Sequence, residues 1–437
     1  MNPTQGGART AAPPPITELA LAGLVLTGLV FAGFRFIRDG YLPQPFYFRV
    51  SESLLDLYST AFWANSTGAF RQWHSVYPPL SFIFLRWTSL TACYRLGDLA
   101  GRDCDWLARS VLCGVFAVNA ALVYASYRLS DRRTAAPRAI AMILGLPMLY
   151  ALERGNLLIP TFTCFVLGYG DLIRRRWPRW LALATAINFK PYLVFIALPF
   201  IATRRWAWLA GCGLLGGAIY LVTALWYGSG WPLEIIANET RYAGAASMGY
   251  FSDIYYATAF WPLIRLLHAA PAGLQLVSSG VADAWASGLT IIVRAAQLGA
   301  LSCLGLAAFR PWGVDVRRLA ALTACVSLTA FTTGSAGYAQ IFLFFLVFFE
   351  PWRGPTRITL LVATYALCLP LDVVVLPVIH GRAHSFLGGR DVMASFGVSV
   401  GQFIRPGLLL VIQCGLMILN FSDMRGPKPK TRAVASV

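Results

Sequence analysis

The sequence predicts an all-α, polytopic integral membrane protein, and three observations carry that prediction. The chain is 57% hydrophobic and only 13% charged over 437 residues. Its apolar residues gather into runs of about 20 with almost no charge, the length a helix needs to cross a bilayer. These runs show no strand alternation, and in lipid every backbone polar group needs a partner within its own segment, so helix is the form open to them. Soluble two-domain folds are excluded.

Taken in order, residues 1–16 (Gly, Pro and Ala) read as a disordered N-terminus, 17–422 as one transmembrane domain and 423–437 as a basic tail. The domain holds about ten to thirteen hydrophobic segments, near 17–37, 77–96, 106–127, 139–152, 157–170, 180–202, 206–227, 257–277, 285–309, 319–334, 336–350, 358–378 and 399–420. No basic region precedes the first, and Phe-Arg-Phe-Ile-Arg follows it where a cleavage site would need small residues, so it is expected to stay as an anchor.

Between the first two segments lies a long polar and aromatic loop. Within it "SESLLDLYSTAFWANSTGAF" spaces its apolar residues so that an amphipathic helix can lie flat in the interface. Two further polar loops, 228–256 and 379–398, share its low positive charge. All three are placed outside. The net charge of +17 comes from arginines in short loops, Arg128 to Arg138, Arg174 to Arg179, Arg204 and Arg205, Arg310 to Arg318, Arg353 to Arg357, and from the tail. Positive loops stay cytoplasmic and face anionic lipid headgroups. Nothing resembles a basic, aromatic-interleaved nucleic-acid surface.

Counting charges along the chain does not close. If 77–96 and 106–127 both cross, the arginine loop 128–138 falls outside, so either one of them fails to cross or the rule is broken once. The nine cysteines form no CxxC pair and read as small apolar packing residues, neither metal ligands nor a disulfide frame. His380 and His384 are four apart, but the glycines near them argue against a helix that would present both to a metal, and no metal or cofactor is expected. Asn65 and Asn238 open glycosylation sequons, which matter only in a eukaryotic lumen. Tyr255, Tyr256 and Trp261 read as an interfacial aromatic belt.

The body of the chain has one lysine, Lys190; the other two, Lys428 and Lys430, lie in the tail. It precedes Pro191 in "INFKPYLVF", and proline disfavours helix at the residue before it, so a break is expected at Phe189-Lys190. Arginine loops flank the segment on both sides, which makes it a hairpin that enters to mid-membrane and returns. A charge at such a tip marks a functional site, unless it snorkels or pairs with an internal carboxylate.

Three stretches in this order, "DLYSTAFWANSTGAFRQWHSVYPPL" from Asp56, "ERGNLL" from Glu153 and "LALATAINFKPYLVFIALPFIATRRW", resemble glycosyltransferase family 87. This is the alpha-mannosyltransferase-like branch of the type C membrane glycosyltransferases, and the likeness covers about residues 17–210. It implies a type C fold that moves mannose or a similar sugar from a polyprenyl-phosphate donor to a lipid-linked or envelope glycan acceptor, with inversion. The setting it implies is a bacterial plasma membrane with the site facing the periplasm or exterior.

Such a transfer needs a carboxylate to take the acceptor's proton and a cation at the phosphate where charge grows. Asp56 is assigned the first role, with Asp39 and Glu52 as rivals in the same loop, and Lys190 the second, assisted by Arg71 and His74. Glu52, Tyr77, Glu153, Arg154, Asn156 and Tyr338 are candidates to line the cavity. Tyr338 or Gln340 stands where the family usually has a histidine. Two other classes compete. A transporter or flippase would carry a second broken helix in a related half, and a non-catalytic assembly subunit would have no essential carboxylate in the first loop.

Overall fold

The computed structural model describes residues 16–46, 49–246, 278–310, 314–330 and 337–425. The expected span 257–277, with Tyr255, Tyr256, Trp261 and His268, lies outside them, as do residues 1–15 and 426–437. Helix α1 (Ile16–Asp39) leads to a loop holding α2 (Leu55–Asn65), α3 (Pro79–Trp87) and α4 (Asp98–Cys104). Next come α5 (Trp106–Ser130), α6 (Ala135–Leu144), α7 (Leu146–Arg154) and α8 (Leu158–Tyr169). Helix α9 (Arg176–Phe189), a 3-10 turn Pro191–Ala197 and α10 (Leu198–Ala202) precede α11 (Trp206–Tyr227) and α12 (Pro232–Ala246). After α13 (Ser279–Phe309) and α14 (Val316–Ala330), a 3-10 turn Gly337–Gln340 runs into α15 (Ile341–Val347). Helix α16 (Pro355–Cys368), strands β1 (Val374–Ser385) and β2 (Arg390–Ser399), and α17 (Gly401–Arg425) complete the order.

The protein is mostly helical, and among the described residues six helices are long and apolar enough to cross a membrane: α1, α5, α6 continued by α7, α11, α13 and α17. This is a multi-pass membrane architecture, with shorter apolar helices packed between the long ones. Four expectations need correction. The fold is not all-α, because the polar loop 379–398 folds into an antiparallel hairpin of β1 and β2. His380 and His384 therefore sit on a strand, bonded to Ser395 and Asp391.

Second, segment 77–96 does not cross. Pro79 starts α3 and its helix ends after nine residues at Trp87, about 13 Å at 1.5 Å per residue against a hydrocarbon core of about 30 Å. Third, Cys93 and Cys104 form a disulfide, their Cα atoms 5.6 Å apart. The turn between them, not their spacing in sequence, brings them together. Fourth, α2 is not a helix with one face in lipid. None of its residues is exposed, and Leu57, Tyr58, Thr60, Ala61 and Ala64 are buried against α3, α4 and α7.

With α3 confined to one end of the bundle, the arginine loop 128–138 falls at the same end as the other described arginine loops. At one end Arg138 of α6 pairs with the fully buried Glu18 of α1 at 2.6 Å and also donates to the Phe348 carbonyl. Arg318 grips Glu350 through two bonds of 2.7 and 3.0 Å and reaches Asp423, while Arg357 meets Glu350 at 3.0 Å. Arg317 donates to Asp171 and to the Tyr169 carbonyl, and Arg204 to the Ala308 carbonyl. The arginine loops thus share one end. The first loop, α12 and the hairpin occupy the other, where Ser385 donates to the Gly40 carbonyl and Gln44 exchanges two hydrogen bonds with Gly397.

The segment around Lys190 turns back as expected. Helix α9 stops at Phe189, Lys190 is extended, and the chain returns through Pro191–Ala197 and α10. Both arms end at Trp208: the Phe200 ring stacks on it at 5.1 Å, and Arg179, from the start of α9, lies over it at 4.9 Å. The 14 residues of α9 rise about 21 Å. Its tip therefore lies past the expected mid-membrane depth, near the end of the bundle opposite the arginine loops, where Ser81 of α3 donates to the Phe189 carbonyl at 3.2 Å.

Candidate active site

Asp56 sits in the first turn of α2, and the turn after α7 aims it. Gly155 ends α7 in the left-handed conformation (φ 67°), which an L side chain rarely adopts, and a Cβ there would meet Leu57 Cβ at 2.7 Å. That close approach lets neighbouring residues on both sides of the glycine act on the first loop. Glu153 accepts from Ser53 Oγ at 2.7 Å, and its carbonyl accepts the Leu54 amide at 2.7 Å. Arg154 donates to Asp56 Oδ1 at 2.5 Å and to the Glu52 carbonyl at 2.9 Å. Asn156 donates to Asp56 Oδ2 at 2.8 Å and accepts the Leu158 amide that starts α8. Leu54 is itself left-handed (φ 61°) without being glycine, a strain of about 1–3 kcal/mol held by these bonds.

The carboxylate keeps a fifth of its surface open, so each oxygen has a lone pair left for an incoming hydroxyl. Tyr77 closes the near side. Burial first, then the Asp56 charge, raises the Tyr77 pKa, so its hydroxyl stays protonated beside Thr60 and Asn156. Across that ring, 4.1 Å from its centroid, is Lys190 Nζ. Among the described residues no carboxylate lies within ion-pair distance of this ammonium, and the charges that act on it are Asp56 and Glu239. Lys190 is therefore not locked in a tight internal pair. Tyr338 stacks on Tyr150 at 5.2 Å and shares the surroundings of Asp56 and Tyr77.

Of the residues expected from sequence, Asp56, Tyr77, Glu153, Arg154, Asn156, Lys190 and Tyr338 come together. Glu52 joins through Arg154, 3.9 Å from its carboxylate, and also pairs with Arg49. Asp39 does not join, because Arg35 and Arg38 hold it at 2.6 Å at the end of α1. Arg71 and His74 point to α12 instead: Arg71, mostly exposed, faces Glu234 at 3.6 Å, and His74 bonds Arg241. Both sequon asparagines are occupied, Asn65 by Ser89 and the Ala61 carbonyl, Asn238 by the Phe70 and Ser75 carbonyls.

Sequence reasoning missed Thr60, Tyr192 and Glu239, although Ile235 and Glu239 at i, i+4 in the second polar loop form a face that could have signalled the last. It also missed the platform beneath α2. Asp105 caps α5 through the Ala108 amide (3.0 Å) and accepts Tyr94 (2.7 Å), while Ser59 of α2 donates to Asp98 (2.7 Å). The Cys93–Cys104 bond closes this platform. Among the described residues no group of His, Cys, Asp and Glu could hold a metal ion. No family model, curated protein or solved structure matches the chain.

Proposed function

We propose that this chain is a membrane glycosyltransferase of the type C kind, which moves a sugar from a polyprenyl-phosphate donor to a lipid-linked or envelope glycan hydroxyl. The observation that carries the reading is the pairing of an aimed, partly open carboxylate, Asp56, with a lysine presented across Tyr77 at the tip of a returning hairpin. In the reaction Asp56 takes the acceptor hydroxyl's proton while that oxygen attacks the anomeric carbon. The bond from that carbon to the phosphate oxygen breaks, and Lys190 meets the charge left on the polyprenyl phosphate. One base on the face opposite the leaving group gives inversion.

An apolar cleft begins two residues beyond Lys190. Tyr192, Leu193, Ile196, Leu328, Ala339 and Phe342 line it, from the returning arm, α14, the Gly337–Gln340 turn and α15, so the side of Lys190 toward the arm is apolar, although the cleft is too small to hold a lipid tail as it stands. The sidedness also fits: the site lies at the end opposite the arginine loops, the outer face by the positive-inside rule, and carries the disulfide, a bond that persists in oxidising compartments. Purified protein incubated with radiolabelled polyprenyl-phosphate sugars and a crude lipid extract tests the proposal. Label moves to a new lipid with wild type, and Asp56→Asn lowers the rate at least about a hundredfold. Movement of intact donor across a vesicle membrane, with no new glycosidic product, would favour a flippase.

A further inference from the structure

Helix α12 is docked on the first loop by residues at helical spacing. Glu234 accepts the Gly230 and Trp231 amides at 2.8 and 3.0 Å and faces Arg71, Asn238 donates to the Phe70 and Ser75 carbonyls at 2.9 and 3.0 Å, and Arg241 bonds His74. Residues 234, 238 and 241 form one stripe, so the adjoining stripe 235, 239 and 242 turns toward the site. Ile235 is buried in the apolar cluster that holds Leu54 and Leu57, and Tyr242 lies close enough to act on Tyr338. Between them on the same stripe is the half-buried Glu239, whose charge acts on Lys190 and Tyr192.

The charges of two carboxylates therefore act on Lys190, and they differ in their commitments. Asp56 is held by Arg154 and Asn156. Glu239, among the described residues, has Lys190 as its charge partner and no hydrogen bond of its own. We propose that Glu239 is the counter-charge of Lys190 beyond contact distance, balancing the ammonium before the donor phosphate arrives and driving the product phosphate out.

The asymmetry follows from charge. The donor is a phosphodiester carrying one negative charge, whereas the released polyprenyl phosphate is a monoester carrying about −1.5 to −2 near neutral pH. Lys190 alone would hold the product more tightly than the donor and would stall turnover. A carboxylate near it repels the more highly charged product more strongly and so evens the two affinities.

This inference rests on Lys190 being the phosphate anchor, and the test separates the two. Farnesyl phosphate stands in for the product and its methyl ester, a monoanion, for the donor; binding of each to purified protein is measured by calorimetry. Glu239→Gln is expected to tighten farnesyl phosphate about tenfold, the scale of one repulsive charge a few ångströms away in a partly solvated site, and the methyl ester less. Lys190→Met weakens both. A gain of affinity is a result that loss of packing does not produce, and Glu239→Ala should give the same gain. If Lys190→Met weakens both ligands while Glu239→Gln leaves them unchanged or weaker, the counter-ion role is overturned and the phosphate site stands. If Lys190→Met changes neither, the anchor and the counter-ion fall together.

Discussion

The pairing of Asp56 with Arg154 can be measured as a coupling. Removing either partner costs the charge-assisted bond between them, but the losses are unequal. Without Asp56, Arg154 keeps the Glu52 carbonyl at 2.9 Å and the Glu52 carboxylate at 3.9 Å. Without Arg154, Asp56 keeps Asn156 at 2.8 Å. A charge-assisted hydrogen bond contributes about 1.5–3 kcal/mol, and breaking a fully buried pair costs about 3–5 kcal/mol. The side chains here retain 20% and 10% of their exposure, so the coupling belongs near the lower range, about 2 kcal/mol. Equilibrium unfolding in mixed micelles of wild type, Asp56→Asn, Arg154→Met and the double variant gives it directly. Arg154→Met should also lower transfer about a hundredfold with donor affinity unchanged, the cost of a base displaced by about an ångström. A coupling below about 0.5 kcal/mol would refute the idea that the turn after α7 aims Asp56, since additive sites behave that way.

Other expectations follow from single contacts. Gly155→Ala should cost about 2 kcal/mol or more, because the left-handed φ and the 2.7 Å approach to Leu57 both resist a Cβ; unfolding in micelles reads it, and transfer should fall with it. Cys93→Ser opens a loop whose cysteines are 11 residues apart, worth about 3 kcal/mol, and a membrane-impermeant reductant added outside intact cells should expose both thiols of the wild type to labelling. Arg138→Met leaves Glu18 buried without its partner and should lower the yield of folded protein, a loss of about 3–5 kcal/mol that Arg138→Met with Glu18→Leu largely restores. Lys190→Arg should bind the donor less well than wild type despite equal charge, because a planar guanidinium does not occupy the place of a compact ammonium 4.1 Å above the Tyr77 ring; donor calorimetry checks it.

What the sequence made legible was whatever a local rule controls. Length and apolarity marked the long helices, and the proline after Lys190 marked the place where α9 stops. Flanking arginines marked the return of the hairpin, and the ordered stretches around Asp56, Glu153 and Lys190 converge as a group. Illegible were the features that depend on what lies across from a residue. Segment 77–96 is apolar enough to look like a span, yet "PPLSFIFLRW" is apolar because it packs against α2, α9 and α11. Cys93 and Cys104 look like packing residues until the turn between them is known. The hairpin of β1 and β2 was hidden because its polar, glycine-containing strands take their order from side-chain bonds to Gly40, Tyr41 and Gln44, some 350 residues earlier. The same reason explains Glu239. On its own helix it is one more polar residue in a loop, and only the docking of α12 through Asn238 brings its charge to bear on the single lysine of the body. The failed charge count was the one clue in the sequence that some apolar segment does not cross. Once α3 is removed from the spans, every arginine loop falls at one end and every proposed catalytic side chain at the other.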